Sequence, residues 1–102
     1  MTVAQTILDQ MGGARRLAAF TGAKNFVSGE NYLQFSIGKG ARDKINNVKI
    51  ALNAMDTYDV TFGRTYGTKY HQIKTTEDIY NTELMDFFED QTGFFLTFGA
   101  RS

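Results

Sequence analysis

A chain of 102 residues has room for one hydrophobic core and not for two. Its 42% hydrophobic residues, nine Phe among them, exclude the composition of a disordered chain, and the absence of Cys excludes disulfides, thiolate catalysis and cysteine-ligated zinc. The formal net charge is zero, yet residues 1–75 hold ten Lys/Arg against five acids while residues 76–102 hold Arg101 against six, an asymmetry that concerns partners rather than fold.

The N-terminal MTVAQTILDQMGG has no basic segment ahead of an apolar one, so it does not read as a secretory leader. No apolar run approaches the roughly 20 residues of a membrane span. The expectation is a soluble, intracellular protein.

Thr2 with Gln5 three residues on has the form of a capping box. Val3, Ile7, Leu8 and Met11 follow at helical spacing, which predicts a first helix that Gly12 and Gly13 close. Residues 14–20 form a second short helix with Leu17 and Phe20 on its apolar side, and Gly22 ends it. The period then falls to two. Residues 25–28 read as a short strand and 29–31 as a hairpin loop. In the next strand Leu33, Phe35 and Ile37 alternate with Tyr32, Gln34 and Ser36. After the loop GKGARDKIN, Val48, Ile50 and Leu52 alternate with Asn47, Lys49 and Ala51; Tyr58, Val60 and Phe62 then alternate with Asp59, Thr61 and Gly63. One apolar and one polar face per strand marks an antiparallel sheet covered on one side. KYHQIK, at 69–74, predicts a further strand although it alternates poorly.

From 77 to 91 the period changes again. Ile79, Tyr80, Leu84, Phe87 and Phe88 gather on one side of a predicted helix, with Thr76 as N-cap and Gly93 at its C-terminal end. The final FFLTF, 94–98, is an edge strand, a cover for the core or a contact with a second subunit, so a homo-oligomer through this segment is one expectation. The fold class expected is α+β: one domain over 1–102, an antiparallel meander of four to five strands covered on one face by N-terminal and C-terminal helices.

Catalytic material is sparse. IGKGARDK has Gly, Lys and Arg but not the GxxxxGK[ST] spacing of a phosphate loop, and a strand rather than a helix follows. TGAKNF follows a helix and leads into a strand, the wrong polarity for a dinucleotide site. Both read as turns with solvated charges. His71 is the only histidine, with no nucleophile or orienting carboxylate beside it in sequence, which favours a structural role. Asp56 and Asp59 flank Tyr58, one expected in a turn and the other facing solvent. No spacing points to a metal or a cofactor. The expectation is a protein that is not an enzyme.

Two charged surfaces remain. On the predicted final helix, Asp78, Thr82, Met85, Asp86 and Glu89 fall on the outward face, with Asp90 four residues from Asp86. Like charges at such spacings each cost a helix about 0.2–0.5 kcal/mol, and acids near its C-terminus oppose the dipole. Unless cations such as Arg15, Arg16 or Lys69 neutralise it, such an acidic face is a docking surface for a host protein with a basic surface, Met85 supplying adaptable apolar contact. The other surface is a basic edge of Arg15, Arg16, Lys24, Lys39, Arg42 and Lys44, suited to a nucleic-acid backbone. Against it stands a polar sheet face on which Tyr32 is the one expected aromatic, since single-strand binders interleave aromatics with cations.

ILDQMGGARRLAAFTGAKNF, NVKIALNAMDTYDVTF and DIYNTELMDFFEDQTG, in that order from Ile7 to Gly93, resemble a small family without assigned activity carried by bacteriophages and other mobile elements. TGAKNF and LNxxDTYDxxF are its most distinctive pieces. The resemblance transfers no catalytic residue. It implies the cytoplasm of a bacterial host, where small non-catalytic phage proteins bind defence factors such as CRISPR effectors. The first expectation is therefore an anti-CRISPR-like inhibitor acting through the acidic helix face. A nucleic-acid-binding accessory protein comes second and a small assembly component third.

Overall fold

The computed structural model describes residues 2–94. Helix α1, Val3–Gln10, starts where the Thr2 hydroxyl accepts from the Gln5 amide at 3.1 Å, satisfying one of the donors that a helix start leaves open. Helix α2, Ala14–Thr21, ends at Gly22 in the left-handed conformation, whose N–H donates to the Ala18 carbonyl.

Five strands follow: β1 (Lys24–Ser28), β2 (Tyr32–Ser36), β3 (Asn47–Leu52), β4 (Tyr58–Tyr66) and β5 (Lys69–Ile79). They form one antiparallel sheet in the order β1-β2-β3-β4-β5. The register puts Leu33 opposite Ile50 and Phe35 opposite Val48, then Val48 opposite Phe62 and Ile50 opposite Val60. All these side chains are buried, and with them Ile7, Met11 and Leu17 of the first two helices and Leu84 and Phe88 of the last. Phe35 meets Phe88 with ring centroids 6.3 Å apart. Burying each such side chain contributes about 1.5–3 kcal/mol, so the alternation within β2, β3 and β4 specifies the register. The expected α+β class, with helices on one face of a meander, describes the molecule.

The last predicted helix is shorter than expected. Residues 77–79 belong to β5, and α3 spans Leu84–Thr92 before Gly93 (φ 81°) stops it. Thr75 pairs with Thr61 and Thr76 with Val60, so β-branched side chains continue the ladder where the periodicity predicted a helix start and Thr76 its cap. A bulge then brings Ile79 opposite Tyr58, where it packs against the core from the strand. Ile79 and Tyr80 fit the helical spacing by coincidence. Of the segment 94–98 only Phe94 is described, and it packs against the core; the expectation for FFLTF otherwise lies outside the described residues.

Candidate functional site

TGAKNF and IGKGARDK, set aside as turns in sequence, meet in the fold. The Gly38 N–H donates to the Thr21 carbonyl at 2.7 Å. A Cβ on Gly22 would lie 3.2 Å from the Gly38 backbone, so the two loops approach this closely because neither glycine carries a side chain. Asn46 fixes the neighbouring strand. Its Nδ2 donates to the Thr65 carbonyl at 2.7 Å and its Oδ1 accepts from the Thr65 N–H at 2.7 Å, an amide pair that imitates one more rung of the β3–β4 ladder.

Two adjoining depressions open around this junction. One, of about 400 Å³, is lined by Lys39, Gly40, Ala41, Lys44, Ile45, Asn46 and Arg64. The other, of about 370 Å³, is lined by Gly22, Lys24, Ser36, Ile37, Gly38, Lys39, Asn46 and Thr65. They share Lys39 and Asn46. Lys24, Lys39, Lys44 and Arg64 contribute four cations to these linings, and none of the described lining residues is an acid. Asp43 (φ 56°) and Lys44 (φ 59°) are consecutive non-glycine residues in the left-handed region, each at a cost of order 1 kcal/mol or more. The turn Arg42–Lys44 thus spends stability on the conformation in which Lys44 lines the first depression.

Beside the depressions stands the β4–β5 hairpin. Tyr66 and Lys69 close it around Gly67, whose φ of 61° suits a two-residue turn. On one side of it Tyr66 stacks with His71, ring centroids 5.8 Å apart and planes 19° apart, while the Arg64 guanidinium lies 5.0 Å from the Tyr66 ring centre. Tyr66 remains 53% exposed. On the other side Tyr70 covers Gly63, where an added Cβ would collide with its ring, and partial burial raises the Tyr70 pKa above the ordinary 10.0. Among the described residues the site has cations and accessible rings and no nucleophile–base pair. Among the described residues no group of three or more His, Cys, Asp or Glu is arranged to hold a metal ion.

The structure brings Lys24, Lys39 and Lys44 of the predicted basic edge together and separates the rest. Arg42 lies against Gly93 at the end of α3, within 3.3 Å of where a Cβ on that glycine would be. Arg15 and Arg16 sit in the first turn of α2, at the other end of that helix from Gly22. Arg64, Tyr66, Tyr70 and His71 were missed as site residues. The poor alternation of KYHQIK is the trace of the register shift opposite Phe62 and Gly63, and it marked neither Tyr70 and His71 within it nor Arg64 and Tyr66 before it.

The acidic helix face is not assembled as expected. Asp78 lies in β5 at φ 61°, accepting from Asn53 Nδ2 at 3.1 Å, and its own N–H donates to Asp59. Thr57 lies 3.1 Å from Asp78 and 3.0 Å from Asn53 through its hydroxyl, so these residues close the β3–β4 turn. Of Asp56 and Asp59, one expected in a turn and the other facing solvent, Asp56 is in the turn and Asp59 is half-buried in this network. Thr82 is in the turn before α3, Met85 packs against the core, and Glu89 is 3% exposed. Asp86 and Glu89 are both engaged within the fold, and Asp90 accepts from the Gln91 amide. The positive charge that the helix end called for comes from Arg42 against Gly93. No protein family, curated protein or solved structure matches the chain.

Proposed function

We propose that this protein is a non-catalytic module that holds a nucleic-acid backbone at the basic end of its sheet. One observation carries the reading: Lys24, Lys39, Lys44 and Arg64 converge on two adjoining depressions whose described lining residues include no acid. Phosphate neutralised there releases counterions, which makes affinity strongly salt-dependent. The exposed Tyr66 and His71 supply the rings whose expected absence counted against this reading. A phage or mobile-element setting in a bacterial cytoplasm, as the resemblance implies, belongs to the same proposal.

The test is fluorescence anisotropy with labelled oligonucleotides over a salt series. Four phosphate contacts to a single strand give a slope of log K against log salt of about −3, and Lys39→Glu with Lys44→Glu weakens binding at least about tenfold. Absence of binding at low salt overturns the reading. The surface to test against a basic host protein would then be the groove of Ile79, Glu83, Asp86 and Phe87.

A further inference from the structure

We infer, resting on the nucleic-acid reading above, that the strand held at this end is single and that one of its bases stacks on the Tyr66–His71 pair. The hairpin tip is an uncommon place for aromatic surface. Tyr66 at 53%, Tyr70 at 46% and Ile73 at 39% exposure all belong to β4 and β5, and an exposed edge hairpin is ordinarily kept polar against association. Here the ring is positioned rather than merely left outside. Tyr66 lies against His71 at 5.8 Å and against the Arg64 guanidinium at 5.0 Å.

Arg64 joins the two halves of the site. It lines the larger depression together with Lys39 and Lys44, and it lies at the Tyr66 ring. A phosphate in the depression and a ring that accepts its base are therefore one side chain apart, the arrangement that a single nucleotide fills. A duplex keeps its base faces stacked on one another and offers the tip only its backbone, whereas an unpaired base presents a free face. The aromatic pair thus adds affinity for single strands alone, on top of a charge attraction that both forms share. Stacking does not depend on the base, so the preference is for strandedness and not for sequence.

The experiment measures the anisotropy of labelled (dT)12, (U)12 and a 12-base-pair duplex with the full chain and with Tyr66→Phe, Tyr66→Leu and His71→Ala. The expected result is tighter binding of the single strands than of the duplex at equal salt. Tyr66→Leu lowers single-strand affinity by about 5- to 150-fold, erases the preference and leaves the salt slope in place. Tyr66→Phe retains the preference, and His71→Ala reduces it independently should Tyr66→Leu fail to fold. Equal binding of single strands and duplex, or single-strand affinity untouched by Tyr66→Leu and His71→Ala, overturns the stacking inference while the basic end stands. Failure of every oligonucleotide to bind at low salt overturns both.

Discussion

Lys44 is where local stability and the site pull in opposite directions. Its φ of 59° is one that a lysine seldom adopts, and the side chain so placed lines the larger basic depression. Strained backbone concentrates where it serves a function. Lys44→Gly removes the strain, less the backbone freedom that glycine restores to the unfolded chain, and is expected to stabilise the protein by about 0.5–1 kcal/mol. The same change deletes one phosphate contact and makes the salt slope of single-strand binding shallower by about 0.7. Lys44→Ala keeps the strain and loses the charge. Urea denaturation of the two variants decides the matter: Lys44→Gly falling below Lys44→Ala by about 0.5–1 kcal/mol, the cost of glycine's backbone freedom, would mean that the left-handed turn stores nothing.

Among the elements, β2, β3 and β4 were legible because each has one buried face and one that is mostly half-buried and polar, which the sequence records as alternation. β1 and β5 are edge strands, and every residue of β1 and nearly every residue of β5 is exposed. With no buried face to specify, β5 carries no period; its bulge removed the rest of the signal, and the helical spacing of Ile79 and Tyr80 was read in its place. The site suffered the same loss. Its lysines were visible one by one, but their convergence depends on Gly22 meeting Gly38 and on Asn46 pairing with Thr65, contacts between residues distant in sequence. Asn46 is what keeps β4 in the ladder beyond the Asn47–Gly63 pair, on the way to Tyr66. Asn46→Ala forfeits two hydrogen bonds at an exposed position and is expected to cost about 1–2.5 kcal/mol. Amide exchange of Thr65 should quicken, and Asn46→Asp, which keeps the acceptor and loses the donor, should fall between. An unchanged Thr65 exchange rate would show that the backbone holds this end of the hairpin by itself.

At the scale of the whole molecule, Tyr58 ties the sheet to the first helix. It is the first residue of β4, 3% exposed, and it faces Gln10 of α1. Burial raises its pKa above the ordinary 10.0, and the hydrogen bond with Gln10 offsets only part of that rise. The unfolded chain releases this proton near the ordinary value while the folded chain still holds it. The stability associated with the neutral hydroxyl is thus complete below 10.0 and is lost as pH climbs from there through the folded-state pKa. Over that window Tyr58 contributes a fall of up to about 1.4 kcal/mol per pH unit. Tyr58→Phe has no proton to lose. Its deficit against the parent chain, set at lower pH by the missing Gln10 bond, should shrink as pH rises above 10.0 and the parent weakens. Guanidinium denaturation of both proteins at half-unit steps reads the difference directly. Stability curves that stay parallel to pH 11 would mean that the Tyr58 hydroxyl ionises as readily in the folded chain as in the unfolded one, and that helix and strand are not joined through a buried, neutral phenol.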